Sequence, residues 1–107
     1  MSDAKLVVMY PQPSDVDAFE KRYADEHVPM AVEKLAGKSK IVATRILGAP
    51  SGTPAFHRYV EVYFPSMDAL NACAASHGGQ ETLAHGADMS TGGPPVVLIA
   101  ESDTYSF

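Results

Sequence analysis

Four short apolar runs and two helical stretches follow one another as β-α-β-β-α-β along 107 residues. That order predicts an α+β domain with the split-βαβ, ferredoxin-like topology and a four-stranded antiparallel sheet. A faint internal echo agrees with it: Asp17-Ala18-Phe19 opens the first helical stretch and Asp68-Ala69-Leu70 opens the second, at equivalent points of the two halves. The length suits one compact domain, residues 1–107, and is too short for two.

The elements follow from local signals. Leu6–Tyr10 is an apolar run ended by Pro11 and Pro13, as expected of a first strand. Ser14 is placed to cap a helix from about Asp15 to about Leu35, with Asp15 and Asp17 near its positive end and Gly37 as its stop. Ile41–Leu47 reads as the second strand, ended by Gly48 and Pro50. The third is Phe56–Phe64, where aromatic and β-branched residues recur. Pro65-Ser66 introduces a second helix through Met67, Leu70 and Ala74 that breaks at Gly78-Gly79, with a shorter helical stretch over Gln80–Ala87. Gly92-Gly93-Pro94-Pro95 is a loop, and Val96–Ala100 is the last strand.

Two helices cover only one face of a four-stranded sheet, so the other face of a monomer should alternate to polar residues. The outer runs do not alternate. Val7 and Met9 are as apolar as Leu6 and Val8, and Val97 and Ile99 match Val96 and Leu98. Both faces call for burial, which predicts a homodimer formed through the bare face.

Net charge is −5, and the charge is unevenly spread. Residues 1–58 hold eight Lys and Arg against seven Asp and Glu, whereas residues 59–107 hold six acids and neither Lys nor Arg. A phosphate-tracking surface needs clustered cations, so nucleic acid is not an expected partner. No apolar run approaches the ~20 residues that span a bilayer. Met1-Ser2-Asp3-Ala4-Lys5 leads straight into the first apolar run without a basic segment or cleavage site, so no membrane association and a cytoplasmic location are expected. A single cysteine, Cys73, forms no internal disulfide.

The segment richest in chemistry is Phe19–Met30. At 100° per residue, Val16, Phe19, Tyr23, His27 and Met30 fall within an arc of about 80°, away from Glu20, Lys21, Asp25 and Glu26. His27 therefore belongs to the buried stripe, where an imidazole needs a partner. Pro29 removes a helical N–H that the Asp25 carbonyl would accept, so the helix should be bent or interrupted beside the histidine. A buried histidine at such a break is either a hydrogen-bonded core residue or a general acid or base in a pocket wall.

The pattern Phe19-x-x-x-Tyr23-x-x-x-His27-x-Pro29-Met30, with Glu33-x-Leu35-x-Gly37 after it and Tyr59–Phe64 before Ser66–Leu70, resembles the EthD family, named for ethyl tert-butyl ether degradation. The resemblance spans nearly the whole chain. It implies a dimeric α+β barrel in which two ferredoxin-like sheets face each other, and a small, mostly apolar or aromatic molecule between helices and sheet. It does not imply one reaction. Related barrels include muconolactone-type isomerases, cofactor-free monooxygenases and haem-binding proteins, and some fungal relatives act as decarboxylases or dehydratases on aromatic polyketides. Met30 stands where leucine is frequent, and the chain has no tryptophan for ring stacking.

The expected function is thus cofactor-independent proton transfer on an apolar organic acid, lactone or aromatic, by isomerisation, dehydration or decarboxylation. His27 is the candidate acid or base. Tyr23 and Tyr63 would orient the substrate, and Glu61 would hold the imidazole. Phe19, Met30 and Phe64 would form apolar walls, and Tyr10 would face the pocket from the end of the first strand. The alternatives are a non-catalytic ligand-binding or accessory protein of an oxygenase pathway, and a cofactor-free monooxygenase. Strand alternation puts His57, Tyr59, Glu61 and Tyr63 on one face, either lining the pocket or bordering the dimer interface, and leaves His57 exposed beside the loop. Cys73 reads as core filler with no activating neighbour. His77 and His85 lack zinc-site spacing, and neither His85-x-x-Asp88 nor a haem ligated by His27 or His85 is favoured. Gly92-Gly93 is not a phosphate fingerprint, so no cofactor is expected.

Overall fold

A computed structural model describes residues 3–107. Met1 and Ser2, which open the stretch read above for a leader, lie outside them. The elements run β1 (Asp3–Pro11), α1 (Val16–Arg22), a π turn (Tyr23–His27), α2 (Val28–Lys34), β2 (Lys40–Arg45), β3 (Phe56–Phe64), α3 (Met67–Ala75), α4 (His77–Met89) and β4 (Val96–Ser102). The sheet order is β2-β3-β1-β4, every pair antiparallel, which is the ferredoxin-like arrangement. No helix among the described residues is long and apolar enough to cross a membrane.

The first helical stretch differs from a uniform α-helix. Asp15, not Ser14, is its cap: the Asp15 carboxylate accepts from the Ala18 N–H at 3.1 Å. The chain then widens to a π turn in which the Val28 N–H donates to the Tyr23 carbonyl, five residues back. Pro29 sits in the first turn of α2, where its missing N–H is tolerated. The π turn explains a shift of the buried face. A regular α-helix brings Met30 under Tyr23, whereas the wider turn keeps residues four apart in line. Phe19, Tyr23, His27, Ala31 and Leu35 are all buried, and Met30 is only half-buried.

The second helical stretch breaks at Ser76 rather than at Gly78-Gly79. Ser76 is extended, and its hydroxyl donates to the Cys73 carbonyl while accepting from the Gly79 N–H. The two glycines begin α4 because that end approaches other backbone closely. A Cβ at Gly78 would stand 2.5 Å from the Lys34 carbonyl oxygen, and one at Gly79 would collide with the Cys73 carbonyl. α4 is consequently longer than the Gln80–Ala87 expected.

The strand pairs sort the side chains into two layers. Leu6, Val8 and Tyr10 of β1, Ile41 and Ala43 of β2, Val60, Val62 and Phe64 of β3, and Val97 and Ile99 of β4 face the helices. Lys5, Val7 and Met9, with Val42, Tyr59, Glu61, Tyr63, Val96 and Leu98, face the other way. His57 departs from the alternation. Tyr10 pairs with Arg58 and Pro11 with Phe56, so His57 is the extra residue of a β-bulge. The bulge turns its ring inward against Phe19 and Glu20, and His57 is buried where exposure was expected. Glu20 also takes a bidentate pair from Arg58 at 2.6 and 3.1 Å, and this guanidinium holds the Glu20 carboxyl below the usual carboxylate range.

Candidate functional site

Between the sheet and the layer formed by the π turn, α2 and α4 lies a cavity of about 300 Å³. Its floor is Leu6, Val8, Val60, Val62, Ile41 and Ala43; its roof includes Val28, Ala31, Leu35 and Leu83; Pro95 and Val97 form the side toward β4. Polar side chains enter it at four positions: Tyr10, Tyr23, His27 and Thr82. The Thr82 hydroxyl is already donated to the Gly78 carbonyl at 2.7 Å.

His27 is the last residue of the π turn, so its ring hangs beneath Tyr23, stacked on it at 5.8 Å between centroids. Tyr10, at the end of the straight part of β1, approaches the same ring edge-on and places its hydroxyl 3.3 Å from Nε2. His85 of α4 lies on the other side. Its ring stacks on His27 at 5.2 Å, and the two Nδ1 atoms are 2.9 Å apart. His85 Nε2 is 3.2 Å from Glu26 Oε1, and Arg22 holds that same oxygen while its other end reaches Asp88 at 2.7 Å. A hydrogen-bonded chain therefore runs Tyr10–His27–His85–Glu26, from the cavity to an exposed carboxylate. Gly86 makes this packing possible, because a Cβ there would lie 2.8 Å from the Tyr10 hydroxyl and 3.3 Å from His27 Cε1.

The proton positions follow from donor counting. Glu26 carboxylate is acceptor-only, so His85 Nε2–H donates to it. With neither ring charged, His85 Nδ1 then accepts from His27 Nδ1–H, and His27 Nε2 accepts from the Tyr10 hydroxyl. One extra proton on His85 reverses the inner links: His85 Nδ1–H donates to His27, and His27 Nε2–H donates to Tyr10. The chain thus has one form poised to draw a proton from the cavity and one poised to deliver it. Burial, and secondarily the neighbouring His85, bring the His27 pKa down to about 4. A free imidazolium at 27 is disfavoured, so the ring rests uncharged between Tyr10 and His85. Burial likewise pushes the Tyr10 and Tyr23 phenols upward. Glu26 is lowered by its bond to His85 and then by Arg22.

The structure brings together Tyr10, Tyr23 and His27 from the sequence-derived set. Glu61 and Tyr63 lie on the opposite face of the sheet, where Glu61 bonds Lys5 at 2.5 Å and the Tyr63 hydroxyl at 3.1 Å. Glu61 does not reach the imidazole; His85 holds it. Phe19 is buried behind Tyr23, stacked on it at 6.0 Å. Neither Phe19, Phe64 nor Met30 is among the residues lining the cavity. His85 and Glu26 were missed as partners of His27. The signal for His85 is its place on α4, three residues after Thr82 and four before Met89, both of them buried. Cys73 is buried on α3, and burial raises its thiol pKa.

The EthD domain matches residues 11–90. The chain belongs to the EthD family. It is 27% identical to an EthD family protein from Bacillus halodurans, with a TM-score of 0.86 over 94% of this chain and 99% of that one. To an EthD-like protein from Ralstonia eutropha it is 26% identical, with a TM-score of 0.70 over 94% and 91% of the two chains. At the level of fold alone it is similar to a dimeric ferredoxin-like protein of unknown function from Jannaschia sp., at 15% identity and a TM-score of 0.65 over 95% and 100%. Tyr23, His27 and Pro29, all within the matched span, form and flank the π turn at the cavity.

Proposed function

We propose that this EthD protein binds a small, mostly apolar organic molecule in the cavity and exchanges a proton with it, as an isomerase or dehydratase does. The observation that carries the reading is the unbroken Tyr10–His27–His85–Glu26 chain. In the base direction the ligand's proton passes to Tyr10 Oη, the Tyr10 proton to His27 Nε2, the His27 Nδ1 proton to His85 Nδ1, and the His85 Nε2 proton to Glu26. Four bonds form and four break. No imidazolium forms in the buried position, and the negative charge passes from Glu26 only transiently to the ligand oxygen, where the Tyr23 hydroxyl, a hydrogen-bond donor in the cavity wall, meets it. General acid–base transfer of this kind is worth roughly 10²–10⁴-fold in rate.

The test uses 2-tetralone, an uncharged, enolisable bicyclic ketone. Exchange of its α-protons in D₂O, followed by NMR, is expected to run well above the buffer rate with the wild-type protein and to slow in Glu26→Gln. Exchange at the buffer rate, with 2-tetralone bound in the cavity, would favour the non-catalytic binding protein.

We further propose that a second copy of the chain covers the open sheet face and the edge strand β4. Val96 and Leu98 leave that face exposed beside Val7 and Met9, and Val97 and Ile99 are also exposed on the helical side. The fold-level likeness to a dimeric protein supports the same occupant. Sedimentation velocity should give a dimer that Leu98→Asp converts to monomer; a monomeric wild type would refute this.

A further inference from the structure

The cavity walls carry a restriction on ligand charge that goes beyond the proton-transfer reading and rests on it. Among the lining residues there is no Lys, Arg, Asp or Glu. The nearest guanidinium groups are already committed. Arg58 lies over the Tyr23 ring at 4.9 Å but is held bidentately by Glu20. Arg22 bridges Glu26 and Asp88 outside the cavity. Burial keeps His27 uncharged at neutral pH, so it supplies no counter-charge. A carboxylate in this space would lose its hydration without gaining a paired cation.

The hydroxyl groups define what replaces a charge. Tyr10 gives its proton to His27, so its oxygen faces a ligand as an acceptor. Tyr23 is only 5% exposed, yet among the described residues its hydroxyl has no protein hydrogen-bond partner, and it lines the cavity. It is the free donor. Thr82, its proton already given to Gly78, offers a further lone pair. The Tyr10 and Tyr23 rings lie 6.2 Å apart between centroids, so a ligand hydroxyl placed between them would accept from Tyr23 and donate to Tyr10, while the apolar floor and roof cover the rest of the molecule.

We propose that the ligand is an uncharged, hydroxyl-bearing compound of the phenol or enol class, and that carboxylates are rejected. Decarboxylation of a free acid is thereby set aside as the reaction. The enol class is also the form through which a ketone would exchange its α-protons, so the hydroxyl contacts and the relay serve the same step.

The test compares 2-naphthol with 2-naphthoate at pH 7.5, where the first is neutral and the second an anion of similar bulk. Affinity is read by calorimetry, and occupancy of the cavity by movement of the His27 ring resonances. The expected result is that 2-naphthol binds at least tenfold more tightly, moves the His27 signals, and loses affinity severalfold in Tyr23→Phe. If 2-naphthoate binds as tightly or more tightly and moves the same signals, the charge restriction is wrong while the cavity remains a ligand site. If neither compound moves them, the ligand-site reading fails, and this inference with it.

Discussion

Replacing His27 with glutamine should lower the exchange rate of 2-tetralone by at least about 100-fold, the lower end of what general acid–base transfer contributes. Glutamine is chosen because it fills similar space and retains hydrogen-bonding groups toward both Tyr10 and His85, so the buried position is not left with orphaned polar atoms. What it lacks is a second nitrogen that takes a proton on one side while releasing one on the other. The effect should therefore fall on turnover, with 2-tetralone affinity nearly unchanged. His85→Gln should be milder, because the Tyr10–His27 pair survives it and only the link to Glu26 is cut. Equal losses of affinity and rate in His27→Gln would instead assign the ring to binding alone.

The second large effect is on stability against pH. Unfolded, His27 titrates near its ordinary value of 6.5; folded, burial and His85 bring it to about 4. The unfolded chain thus binds a proton that the folded chain refuses between those values, so folding stability falls as pH falls through this window. The neutral ring's full contribution is present above pH ~6.5 and is lost toward pH ~4. Discounting for the ring's residual contact with solvent, the loss is about 2 kcal/mol. The carboxylates with lowered pKa values, among them Glu20 and Glu61, add a loss of the same sign as they protonate. Urea denaturation of wild type and His27→Gln at pH 7 and pH 4.5 separates the two. The wild type should lose more stability than the variant, by up to about 2 kcal/mol. Equal losses would mean that the ring is not buried as described.

Most of the architecture was legible in the sequence because it rests on short-range signals. β3 runs Phe56–Phe64, as its aromatic and β-branched residues indicate, and Pro29 beside His27 marks the interruption of the first helix. What was not legible depends on geometry with no local signature. The π turn changes which residues share a face, so Met30 leaves the stripe and Ala31 and Leu35 enter it. The bulge at His57 flips one side chain out of register. Glu61 is the partner the sequence suggests for His27 because its polar strand face could line the pocket, but the sheet lies between them. The true partner, His85, is 58 residues away in sequence, and its meeting with His27 depends on Gly86 leaving room for the Tyr10 hydroxyl.

The most direct measurement is ¹⁵N-resolved NMR of the imidazole rings at pH 8.5, where the rings are compared in their uncharged forms. The expected result is a fixed Nδ1–H tautomer for His27 with a bare Nε2, and the opposite, Nε2–H tautomer for His85. A His27 ring that carries its proton on Nε2 at that pH, or that averages freely between tautomers, would contradict a proton path from the cavity to Glu26.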